Sequence, residues 1–137
     1  MEKNLVDVAV AIITNSRKEF LLQKKDLRYI WFPGKWCLFG GGIKSGELPE
    51  QALLRELKEE LKYNFKDSVF LGRRNYEDVA NGRIRGGTSH IYEIKFPGEI
   101  SGLSLREGAG LAFFDISELE SQNLVRHDLD FILEFYH

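Results

Sequence analysis

The chain is predicted to be an α+β protein, with two or three helices packed on a mixed sheet. Three observations lead there. Short Val-, Ile- and Phe-rich runs are separated by glycine, proline and polar turns. A single long amphipathic segment interrupts them near the middle of the chain, and a second closes it. The length, 137 residues, suits one domain spanning residues 1–137, with no internal repeat or linker.

Residues 5–14 (LVDVAVAIIT) read as a buried strand and residues 19–24 (EFLLQK) as its hairpin partner across Asn15-Ser16-Arg17-Lys18. Residues 25–35 read as a loop ending in Pro33-Gly34, and Trp36 to Phe39 as a short strand running into glycines. Residues 48–62 are the clearest helix. Pro49 suits its first turn, and Glu47 and Glu50 suit the positive end of its dipole. Val69–Arg74 and His90–Phe96 read as strands joined by a polar, Gly-rich connection over 81–89. Leu111–Phe114 reads as a strand, with Ser117 capping a helical turn after it. Residues 126–136 form a closing helix with Leu129, Ile132, Leu133 and Tyr136 inward.

Composition narrows the function. With 43% hydrophobic and 29% charged residues wholesale disorder is excluded, and no apolar run approaches the ~20 residues needed to span a bilayer. Nineteen basic and 21 acidic side chains give a net charge of −2, which argues against polymeric nucleic acid as a partner but not against a single nucleotide. The N-terminus lacks the layout of a signal peptide, and the expected location is cytoplasmic. Cys37, the sole cysteine, excludes an internal disulfide and reads as a small buried hydrophobe. His90, His127 and His137 show no ligand spacing.

Two features carry chemistry. Gly40, Gly41, Gly42 and Gly46 crowd together just before the 48–62 helix. On that helix Leu53, Leu54, Leu57 and Leu61 form the core stripe, while Glu56, Glu59 and Glu60, at i, i+3 and i+4, share a neighbouring face. Three carboxylates so grouped repel one another, and a hard divalent cation with oxygen ligands relieves them. A side-chain-free turn lets backbone groups approach an anion or a metal closely.

These residues resemble the Nudix box, G-x5-E-x7-R-E-U-x-E-E-x-G-U with U bulky and apolar. Gly41 is followed after five residues by Glu47, and after seven more by Arg55-Glu56-Leu57-Lys58-Glu59-Glu60-Leu61-Lys62-Tyr63. Lys62 replaces the family's glycine, and Phe39 stands where a proline is common just before the glycines. That glycine typically closes the helix in a left-handed conformation, so either Asn64 takes that role or the helix runs on.

The resemblance implies a Nudix-type α/β/α sandwich. It also implies hydrolysis of a nucleoside diphosphate linked to another moiety, by water attack on phosphorus with Mg2+ or Mn2+ as cofactor. The substrate would be a nucleotide sugar, a nucleoside triphosphate or a dinucleotide. Glu56, Glu59 and Glu60 would be metal ligands with a carbonyl from Gly40 or Gly41, and Glu47 and Arg55 would form a salt bridge locking loop to helix. Family members differ in the general base, which is either a box glutamate or an acid on a distant loop. Glu107 is the distant candidate, ahead of Glu77, Asp78 and Glu93. Many members are dimers, so a homodimer is compatible. Two other readings compete: a nucleotide-sugar glycosyl hydrolase and a non-catalytic nucleotide-sensing module. Both are associated with altered box carboxylates, and here the carboxylates are intact.

On the substrate side, Tyr29 and Trp31 are candidates to stack on a base, while Trp36 reads as core. Arg83 and Arg85, placed in the 81–89 connection, are candidates to meet phosphates or a sugar acid.

Overall fold

Strand β2 (Val8–Thr14) is the spine of the molecule, in a computed structural model that describes residues 3–106 and 108–136. Its side chains alternate between two cores. Ala9, Ala11 and Ile13 join Leu53, Leu57 and Leu61 of helix α1 (Pro49–Leu61), whereas Val10 and Ile12 join Leu129, Phe131 and Ile132 of helix α2 (Arg126–Phe135). A strand buried on both faces needs a helix on each side, and the result is the expected α/β/α sandwich.

The remaining strands are β1 (Lys3–Leu5), β3 (Phe20–Lys24), β4 (Trp36–Cys37), β5 (Phe39–Gly42), β6 (Val69–Ala80), β7 (Arg83–Lys95) and β8 (Gly110–Phe114). Among the described residues they form one mixed 8-stranded sheet. Strand β7 pairs parallel with β1 and β2 and antiparallel with β6, while β2 also pairs antiparallel with β3 and β5. β3 carries β4 and β8 as antiparallel partners. No described helix is long and apolar enough to cross a membrane.

Several boundaries differ from the expectation. The 5–14 strand is broken at Val6-Asp7, where Val6 N–H donates to the Gly86 carbonyl and the Asp7 carboxylate accepts from Thr88 N–H. The connection expected over 81–89 is only the two-residue turn Asn81-Gly82, both with positive φ (49° and 73°), as a tight hairpin of this twist requires. Residues 83–89 are strand instead, because β6 and β1 supply ladder partners on both sides of a polar stretch. Arg83 and Arg85 therefore stand on β7. The turn after β8 is capped by Asp115, not Ser117: its carboxylate accepts from Ser117 N–H, and Glu118 accepts from Asp115 N–H. On α2, Leu129 and Ile132 are buried as expected, with Phe131 and Asp128 beside them, and Leu133 and Tyr136 pack at the border.

Neither Asn64 nor an extended helix closes α1. Lys62 does so itself, in the left-handed region (φ 55°, ψ 38°) with its N–H on the Lys58 carbonyl. A side chain in that conformation is strained, and glycine removes the strain at some entropic cost in the unfolded chain. Lys62→Gly is expected to stabilise the protein by about 0.5–1 kcal/mol. The check is the midpoint of urea unfolding, which should rise with an unchanged slope.

Candidate active site

Register places the glycine strand β5 between two different environments. Gly41 pairs with Ala9, on the α1 face, while Gly40 and Gly42 pair with Val10 and Val8, on the α2 face. Towards α1, a Cβ on Gly41 would lie 2.3 Å from Glu56 Cδ, so glycine alone lets this carboxylate rest against the strand. A Cβ on Gly40 would lie 2.3 Å from the Ala9 carbonyl oxygen.

Arg55 knits loop, strand and helix together. Its Nε and Nη2 donate to Glu47 Oε2 and Oε1 at 2.7 and 2.9 Å, Nη2 also reaches the Gly42 carbonyl at 3.1 Å, and Nη1 reaches Glu56 Oε1 at 2.8 Å. Glu47 Oε1 further accepts from Lys44 N–H. The Arg55 guanidinium, helped by that amide, holds the Glu47 carboxyl down at about 2. Glu59 lies 3.8 Å from Arg55 Nη1, with its side chain 45% exposed. The segment following residue 102 is pinned to the end of α1, with Ser104 N–H on the Leu61 carbonyl and Arg106 N–H on that of Glu60.

The donor set suits a hard cation. Carboxylates of Glu56, Glu59 and Glu60 and the carbonyls of a bare strand are all oxygen donors. Among the described residues no three acidic, His or Cys side chains lie close enough together to hold a metal ion as they stand.

Towards α2, Gly40 and Gly42 border a cavity of about 260 Å³. Its walls include Val8, Val10, Phe32 and Tyr76, and Cys37 lies at its edge with its thiol pushed up by burial to about 12. A chain of ion pairs and hydrogen bonds lines the cavity. Arg85 Nε meets Asp78 Oδ2 at 3.0 Å, His127 Nε2 meets Asp78 Oδ1 at 3.1 Å, His127 Nδ1 meets Asp128 Oδ1 at 2.9 Å, and Asp128 Oδ2 accepts from Leu38 N–H at 2.9 Å. Burial opposes a charged imidazole, but hydrogen bonds to Asp128 and Asp78 outweigh it and raise His127 to about 10. Burial likewise opposes ionisation of Asp78, yet His127 and Arg85 hold its carboxyl below the usual range.

The expected substrate residues are divided by this arrangement. Arg85 lines the cavity. Arg83 sits exposed beside the hairpin turn and does not line it. Phe32, Phe39 and Tyr76, not Tyr29 or Trp31, are the aromatics on the wall, and the Phe32 ring is edge-on to His127 at 5.6 Å. Trp31 instead lies under the Arg85 guanidinium at 4.3 Å, and Tyr29 under Lys25 at 4.9 Å. Trp36 packs edge-on against Phe114. Glu107 lies outside the described residues. Of the weaker acids, Glu77 pairs with Lys3, Glu93 accepts from Tyr136 O–H, and Asp78 is doubly paired. In the sequence His127 shows only as a histidine without ligand spacing, and Asp128 only as a residue at the start of a helix.

A fold with a box-bearing helix against a bare glycine strand is that of a hydrolase of nucleoside diphosphate derivatives. The NUDIX domain model matches residues 3–135, and the chain belongs to the Nudix family as a pyrophosphohydrolase. It is 29% identical over 133 residues to the nucleoside triphosphatase NudI of Escherichia coli, an alignment covering 90% of this chain and 87% of that one. The MutT NUDIX hydrolase of Burkholderia pseudomallei superposes with a TM-score of 0.79 at 25% identity, covering 96% of this chain and 97% of its own. The MutT protein of Methanosarcina mazei superposes with a TM-score of 0.83 at 21% identity, covering 98% and 95%.

Proposed function

We propose that the chain cleaves a phosphoanhydride of a nucleoside triphosphate, with the phosphates against Glu56, Glu59, Glu60 and the carbonyls of Gly40 and Gly41, and the nucleoside in the cavity on the other side of β5. One observation carries this: the side-chain-free strand has the acidic face of α1 on one side and a cavity with apolar walls on the other. The similarity to the nucleoside triphosphatase NudI favours a triphosphate over a nucleotide sugar or dinucleotide.

Bound to these oxygens, Mg2+ or Mn2+ would neutralise pyrophosphate charge and activate water. Arg55 holds Glu56 against Gly41 and is itself held by Glu47, so the acidic face is set before substrate arrives. The water oxygen forms a new bond to one phosphorus, the anhydride bond breaks, and the bridging oxygen leaves with the other phosphoryl group. The cavity keeps the nucleoside end dry and fixed.

The test is a panel of nucleoside triphosphates, nucleotide sugars and dinucleotides assayed with Mg2+ in 18O-labelled water. The expected result is triphosphate cleavage with label on a phosphate product. Label on a released sugar, or cleavage confined to nucleotide sugars or dinucleotides, would overturn the assignment.

A further inference from the structure

The cavity beside β5 is lined by Asp78, Arg85, His127 and Asp128, which pair with one another, and by Lys25, Gln23 and Ser89. Both oxygens of Asp78 are engaged by Arg85 and His127, and both oxygens of Asp128 by His127 and Leu38 N–H. Both ring nitrogens of His127 are thereby used. Arg85 is different: it gives only Nε to Asp78, and its two terminal nitrogens have no hydrogen-bond partner among the described residues. The guanidinium cannot easily turn away. It is tied to a carboxylate that is 4% exposed and sits over the Trp31 ring at 4.3 Å, with Phe32 at 5.8 Å. The result is a rigid fork of N–H donors at a cavity whose nearby carboxylate oxygens each already accept one hydrogen bond.

A donor-only fork favours acceptors, and a base edge that turns an amino group to it sets donor against donor. The walls formed by Val8, Val10, Phe32 and Tyr76 suit a flat heterocycle better than a hydrated phosphate or sugar acid. We infer that Arg85 reads the keto edge of the nucleobase, so that guanine and uracil (or thymine) nucleotides are preferred to adenine and cytosine nucleotides carrying the same phosphates. This rests on the cavity taking the nucleoside, as proposed above. Asp78, His127 and Asp128 act as positioning residues that aim the fork.

The experiment compares GTP, UTP, ATP and CTP by kcat/KM in the wild type, Arg85→Lys and Arg85→Met. Calorimetric binding of GMP, UMP, AMP and CMP to the wild type is measured beside it, which requires neither turnover nor a variant that folds. Keto nucleotides are expected to be favoured by about tenfold or more, mainly in KM. The keto-to-amino ratio should collapse towards one in both variants, since lysine keeps the charge but loses the fork. Equal binding and turnover of all four bases, or a fall in the variants with the ratio intact, would overturn the Arg85 assignment alone. No binding or hydrolysis of any nucleotide would overturn the nucleoside cavity itself.

Discussion

Glu56→Gln is expected to lower Mg2+-dependent kcat by about a thousandfold or more while leaving the fold intact. Glu56 is the carboxylate seated directly on the glycine strand, where a Cβ at position 41 would strike it. In the proposed site this sets its carboxylate beside the strand backbone. Amidation preserves its size but removes the charge that a cation needs, and a loss of roughly 4 kcal/mol in transition-state stabilisation corresponds to that rate. Stability should hardly change. Arg55 keeps its bidentate contact to Glu47 and its contact to the Gly42 carbonyl, and the glutamine oxygen can still face Nη1. Steady-state kinetics with Mg2+ titration, alongside far-UV circular dichroism, decides the point. A variant that turns over like the wild type removes Glu56 from the metal set.

What was legible in the sequence was local. The helical period of Leu53, Leu57 and Leu61 places Glu56, Glu59 and Glu60 on one face, and the spacing of Glu47 from Arg55 lets a loop acid reach a first-turns arginine. The strand–glycine–helix order follows from the same short segment. What was not legible depends on long-range pairing. His127 meets Asp78 across 49 positions of sequence, and nothing near either residue announces the partner. Arg85 looked like a loop residue because its neighbours are glycine, arginine and threonine. It became a cavity residue only because β1 and β6 recruit that polar run into the sheet. The Asn81-Gly82 signal was present, yet the polar residues after it masked how short the turn is. Lys62 shows the reverse case: the local rule asked for glycine, and the helix end is formed by lysine under strain.

His127→Ala is expected to lower stability by about 2–3 kcal/mol and to flatten its dependence on alkaline pH. The imidazole joins two carboxylates whose side chains are only 4% and 8% exposed. Among the described residues, its removal leaves Asp78 with Arg85 and Asp128 with one backbone amide. Breaking a buried ion pair from one side costs roughly 3–5 kcal/mol, and the 31% exposure of His127 itself places this case below that range. The sign of the pH effect follows from the raised pKa. Below about 6.5 both folded and unfolded chains carry the proton, and the stabilisation is complete. Between 6.5 and about 10 only the folded chain holds it, so stability falls as pH rises, and above about 10 the contribution is gone. Urea unfolding at pH 6, 8 and 10 should show wild type and variant converging as pH increases. Parallel losses across that window would mean that His127 is neutral between its aspartates, and that Arg85 is aimed by Asp78 without help from a second cation.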